Sequence, residues 1–113
     1  MSTSTTSAPA PVQRYLAADE SADAAALAAT FAPAATVIDD GHAYFGRDAI
    51  SAWRNGPASE WTYTQEITDA GATGPNTYGL TMHLEGNFPG GVADLHYRFA
   101  VLDDQIVHLT IEP

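Results

Sequence analysis

The sequence predicts an α+β domain, with three N-terminal helices ahead of a mostly antiparallel sheet. Three observations predict it. Residues 11–32 are rich in Ala and carry apolar positions at helical spacing. From Glu60 onward the apolar period switches to two. Turn-forming segments, Asp40-Gly41, Gly71 to Asn76, Gly86 to Gly91 and Asp103-Asp104, punctuate the strands.

The first helix starts at Pro11, because a missing N–H costs little in an opening turn. Val12, Tyr15 and Leu16 then recur at helical spacing. Asp19-Glu20-Ser21 ends this helix and offers an N-cap to the next. The second helix covers Ala22 to Ala32, where Ala favours the helical state and Leu27 and Phe31 share a face. Pro33 ends it. A strand from Thr36 to Asp39 turns at Asp40-Gly41 into a short strand over Ala43 to Phe45. A third helix runs from Gly46 to Trp53 and stops at Gly56-Pro57.

In the β half, Trp61, Tyr63, Gln65 and Ile67 alternate with polar neighbours in a strand that starts at Glu60. Tyr78, Leu80, Met82 and Leu84 form one face of the next strand. Leu95, Tyr97, Phe99 and Val101 form one face of the strand after that. Val107, Leu109 and Ile111 close the sheet. At 113 residues the chain makes one domain, spanning 11–113, with residues 1–10 as a flexible Ser/Thr/Ala/Pro-rich tail.

Composition narrows the function classes. The net charge is −10, from fourteen acids against four bases, all of them Arg. Such a surface repels nucleic acid and anionic membrane, and it disfavours phosphorylated substrates. A neutral small molecule fits better. Cysteine is absent, which removes disulfides, thiolate nucleophiles and Cys-ligated metal. The His, Asp and Glu spacings make no metal site, and no phosphate-binding glycine motif or nucleophile elbow occurs. No cofactor is expected. No apolar run reaches membrane-spanning length, and the N-terminus has no secretory pattern, so a cytoplasmic location is the expectation.

Asp39 is the leading candidate for chemistry. It follows the apolar run Ala34 to Ile38 and precedes Tyr44-Phe45. Beside an apolar cavity its pKa rises and it becomes a base usable near neutral pH. The alternative is a solvated turn acid, with Asp40 capping the same turn. His42 lies in that loop and is either a second proton shuttle or an exposed loop histidine. His83, His96 and His108 have the parity of the outer sheet face. So does Arg98, whose candidate partners are Asp94 or the acids on the His96 side.

Two blocks carry a resemblance. Ala34-Ala35-Thr36-Val37-Ile38-Asp39 with Phe45-Gly46-Arg47-Asp48-Ala49-Ile50-Ser51-Ala52-Trp53 resembles the first strand and third helix of the nuclear transport factor 2-like (SnoaL-like) superfamily. Leu95-His96-Tyr97-Arg98-Phe99 and Ile106-Val107-His108-Leu109 resemble its last hairpin. The resemblance spans residues 11–113 and implies a cone-shaped domain with a strongly curved sheet, paired as a homodimer through that sheet. The superfamily includes isomerases, cyclases, dehydratases, epoxide hydrolases and non-catalytic binders.

Within it, Val12-Gln13-Arg14-Tyr15-Leu16-Ala17-Ala18 is similar to the first helix of ketosteroid Δ5-isomerases. That similarity implies Asp39 as general base and Tyr15 as oxyanion donor, or else an ordinary core tyrosine. The second donor of those enzymes, a protonated Asp, falls on Leu95; Asp94 is one residue away and faces the other side. Arg54 falls near a supporting tyrosine. An epoxide hydrolase needs an Asp–Arg–Asp set inside the pocket, whereas parity puts Arg98 outside.

If the sheet curls as this fold implies, Trp53, Trp61, Tyr63, Met82, Phe88, Leu95, Tyr97 and Phe99 line an apolar cavity or simply fill the core, with Trp61 and Phe88 at its rim. The expected activity is proton abstraction next to a carbonyl, giving isomerisation or aldol-type ring closure of an apolar ligand. The alternatives are a binding or dimerisation module without turnover, and a dehydratase using His42 with Asp39.

Overall fold

The computed structural model describes residues 7–56 and 61–113. Met1 to Thr6 of the expected tail, the helix stop at Pro57 and the strand start at Glu60 lie outside them. Helix α1 (Ala10–Glu20) begins after Pro9 and buries Pro11, Val12, Tyr15 and Ala18. Ala8 is already packed in the core, so ordered packing begins before residue 11. Helix α2 (Ala24–Ala29) is capped by Asp23, whose carboxylate accepts from Ala26 N at 3.0 Å. Asp23, and not the Asp19-Glu20-Ser21 segment, therefore starts this helix.

Helix α2 stops well short of Ala32. Thr30 Oγ1 donates to Leu27 O at 2.7 Å, and the chain becomes strand β1 (Phe31–Asp39). Alanine's helix preference loses to long-range pairing: Phe31 pairs with Ile106, whose N–H donates to Thr30 O at 3.0 Å. Pro33 falls within the register shift between Phe31 and Thr36, where a missing donor is tolerated.

Asp40 (φ 51°) and Gly41 (φ 76°) make a two-residue hairpin turn into β2 (His42–Phe45). Helix α3 (Gly46–Asn55) follows and buries Ile50 and Trp53. Arg47 Nε donates to Phe31 O at 2.8 Å, tying α3 to the start of β1.

The remaining strands are β3 (Tyr63–Gly74), β4 (Thr77–Gly86), β5 (Val92–Leu102) and β6 (Gln105–Glu112). They form one six-stranded sheet in the order β2-β1-β6-β5-β4-β3. Only the β1–β6 pair is parallel among the described residues. Strand β3 runs straight through the glycine cluster expected to be a turn. Register shifts at Ile67/Asp69 and Ala72/Gly74 absorb its irregularity, and the reversal falls at Pro75-Asn76. Such bulges bend a sheet.

A further shift at Ala100/Val101 inserts one extra residue in β6. Parity there changes, so Ile106 rather than Val107 is fully buried. Gly86 sits where a Cβ would collide with Thr62 O and the backbone of Tyr63. The core joins α1, α2, α3 and the inner sheet face around Tyr15, Leu27, Phe31, Ile50, Phe99 and Leu109. No helix among the described residues is long and apolar enough to cross a membrane.

Candidate functional site

A cavity of about 450 Å³ opens between the helices and the inner sheet face. Helix α1 contributes Tyr15 and, one turn later, Asp19, because positions four apart share a helix face. The β1–β2 turn contributes Asp39 and Asp40, and α3 contributes Trp53. Tyr63 opens β3 with Trp61 just ahead of it, and Leu84 is on β4. Phe88 and Pro89 come from the following loop. Strand β5 presents Ala93, Leu95 and Tyr97, which alternate onto one face, and the end of β6 adds Ile111, Glu112 and Pro113.

Asp39 is partly buried at this wall. Trp53 Nε1 donates to its Oδ2 at 3.0 Å. Burial raises the Asp39 pKa above the ordinary carboxylate value; the indole hydrogen bond and His42 oppose the rise, and Asp40 adds to it. The carboxylate is thus anchored through one oxygen and is more basic than a solvated Asp.

Tyr15 is 2% exposed. Its ring meets Phe31 edge-on at 5.9 Å and Phe99 at 5.3 Å. Burial holds its hydroxyl well above the usual phenol pKa, and neighbouring Tyr97 and Asp19 push the same way. Burial likewise raises Tyr97 and Tyr63. All three phenols therefore stay neutral across the physiological range and remain hydrogen-bond donors.

Asp19, on the cavity wall, belongs to an ion pair that sequence patterning does not reveal. Arg54 Nε lies 3.0 Å from Asp19 Oδ1, without the alignment of a true hydrogen bond, and both side chains are about 13–14% exposed. Arg54 Nη2 also donates to Asp19 O at 3.1 Å, and Gln65 Nε2 donates to Asp19 Oδ2 at 2.9 Å. The ends of α1 and α3 are joined to β3 through these contacts. Asp19 reads as a helix breaker in the sequence, and its i, i+4 spacing from Tyr15 is the signal that ties it to the site.

Of the residues singled out from sequence, Asp39, Tyr15, Trp53, Trp61, Tyr63, Phe88, Leu95 and Tyr97 line this one cavity. Met82 and Phe99 do not; they are 2% and 1% exposed and belong to the core beneath it. His42 is exposed outside the cavity lining, where its Nδ1 bonds Asp40 O at 3.1 Å. The two-residue turn makes it the cross-strand partner of Asp39. Asp94 lies on the opposite face, bonded to His83 at 2.7 Å, in an unshifted stretch of the β4–β5 register. Arg98 is exposed there too, paired with Glu112 at 2.8 Å rather than with Asp94. Among the described residues no three His, Asp or Glu side chains gather as a metal-ligand set.

No protein-family model matches the chain, and no curated protein matches it. Solved structures do. A proposed polyketide cyclase from Sinorhizobium meliloti is 31% identical, with 97% of this chain and 100% of that one covered and a TM-score of 0.88. A protein with a ketosteroid isomerase-like fold from Catenulispora acidiphila, in complex with trimethylamine, is 20% identical at a TM-score of 0.79, covering 93% and 85%. A Mycobacterium tuberculosis protein in complex with estradiol-17beta-hemisuccinate is 14% identical at a TM-score of 0.73, covering 91% and 90%. The last two share the fold. Given the first match, which spans nearly the whole of both chains, the chain belongs to the nuclear transport factor 2-like, SnoaL-like superfamily.

Proposed function

We propose that this domain is an acid/base catalyst acting on a neutral, apolar carbonyl compound. Asp39 takes the proton from the carbon α to the carbonyl. The electron pair moves onto oxygen, and the Tyr15 hydroxyl stabilises that oxyanion. In an isomerisation, protonated Asp39 returns the proton to a different carbon of the dienolate. In a ring closure, the enolate carbon attacks a second carbonyl and the new alkoxide takes the proton. Neither step calls for a cofactor.

One observation carries this reading: a carboxylate of raised basicity, fixed by Trp53, shares a cavity with a neutral tyrosine hydroxyl. The apolar walls fit the substrate class, and the ligands of two proteins of the same fold support a small-molecule pocket, without bearing on the substrate's charge. A second reading, binding without turnover, is favoured by Leu95, which places an apolar wall where the resemblance calls for a second donor.

Asp39→Asn separates the two. Turnover of an enolisable cyclic ketone should fall about 10²- to 10⁴-fold, the usual contribution of a positioned base, while phenol binding, read by Trp fluorescence, persists. A wild-type protein that binds phenols but exchanges no α-proton of any ketone in deuterated water would establish the binding module instead.

A further inference from the structure

The cavity contains two polar groups that the protein itself leaves unsatisfied. Tyr15 and Tyr97 are 2% and 8% exposed, and both line the cavity. Neither hydroxyl has a hydrogen-bond partner among the described residues, and neither is sealed away as a buried unsatisfied atom. Their open direction is therefore the cavity. A phenol O–H so nearly buried ordinarily finds a partner, because leaving it unmade costs about 1–3 kcal/mol. Two such groups on one cavity wall point to an acceptor brought by a ligand.

Both rings pack on one residue of the sheet and line the same cavity. Phe99 is their common neighbour: Tyr15 meets it edge-on at 5.3 Å, and Tyr97 stacks on it at 6.2 Å. Tyr97 also follows Leu95 by two residues on β5, so both face the cavity. Burial keeps both phenols neutral.

The remaining charge on the walls fixes the ligand further. Asp39 and Asp40 carry no cation partner among the described ion pairs, while Asp19 and Glu112 are matched by Arg54 and Arg98. A carboxylate or phosphate on the substrate would meet net repulsion. We propose that Tyr15 and Tyr97 together form a two-donor clamp for a single oxygen of an uncharged, enolisable substrate, Tyr97 acting as a further catalytic residue that shares the developing oxyanion with Tyr15. The proposal rests on the acid/base reading and assigns it a second donor.

The test uses two ligands that differ by one oxygen, 2-naphthol and 2-methylnaphthalene, titrated by Trp fluorescence. The wild-type protein should prefer the naphthol. Tyr97→Phe and Tyr15→Phe should each cut that preference about tenfold or more, as expected for a hydrogen bond to a strongly polar acceptor, and leave the affinity for methylnaphthalene unchanged. A packing role for Tyr97 would instead weaken both ligands alike, and that result overturns the clamp.

A full preference in Tyr97→Phe, with loss in Tyr15→Phe, overturns the clamp and leaves the single-donor mechanism standing. No preference in the wild type overturns both. Tyrosine labelled with 13C at Cζ gives a readout that needs no variant. Two of the five tyrosine resonances should differ between the naphthol and methylnaphthalene complexes; one or none overturns the clamp.

Discussion

Replacing Arg54 with Met keeps the length of the side chain and removes its charge and donors. The wild-type contact is close, 3.0 Å from Arg54 Nε to Asp19 Oδ1, and both side chains are about one-seventh exposed. Removing one partner of a buried pair costs about 3–5 kcal/mol, because the other charge stays behind in a poor solvent. Asp19 retains its bond from Gln65 and some water, so the lower end, about 3 kcal/mol, applies.

Unfolding entropy of about 2.1 cal/mol/K per residue gives a chain of this length about 0.24 kcal/mol per degree. The melting temperature should then fall by about 12 °C. Urea unfolding at pH 7 and low salt, with Asp19→Asn and the double variant completing a thermodynamic cycle, measures the pair directly. A loss below about 1 kcal/mol, the range of exposed ion pairs, would refute the view that this contact is shielded from solvent.

Asp39 offers a pH test of stability. Its folded pKa is raised by burial, so it favours the folded state fully below the unfolded value, about 3.9, and that contribution disappears as pH climbs through the folded pKa. Asp39→Asn should therefore be more stable than wild type at pH 7 in thermal melts, with the gap closing below about pH 4; an unchanged gap across that window would contradict the burial argument. Gly86→Ala should destabilise by about 1–3 kcal/mol through overpacking, since its Cβ meets backbone at Thr62 and Tyr63. Urea midpoints check this, and a neutral substitution would mean that the β3–β4 end relaxes freely.

The sheet was legible where the apolar alternation is uninterrupted, as over Tyr78, Leu80, Met82 and Leu84. It misled where a non-local partner decides the outcome. Phe31 looks helical after an alanine run, yet Ile106, far along the chain, draws it into a strand. Val107 and Ile106 exchange places because a bulge, invisible in the pattern, shifts parity. Residues 71–74 carry every local sign of a turn, and β4 pairs with them regardless.

The candidate site was readable in the same measure. Asp39 was marked by the apolar run ahead of it, and Tyr15 only by the resemblance of its helix; both line the cavity. The Asp19–Arg54 pair joins residues on two helices, and no sequence period encodes a meeting of that kind. Met82 has the cavity-facing parity but lies too deep to reach the opening, which parity alone does not distinguish.

The last strand in the chain, β6, lies near the middle of the sheet, between β1 and β5. Without it the sheet is two separate pieces, β2-β1 and β5-β4-β3, with no shared ladder. During synthesis the two pieces wait for residues 105–112 before they can join, and the cavity has no continuous wall until then. Most of the loop-closure entropy of this topology is consequently met late, at a single insertion event between the first strand and the last hairpin. Until that moment Phe31 and Phe99 lack Ile106 and Leu109, their partners in the finished sheet, and apolar surface that the domain buries stays open to solvent.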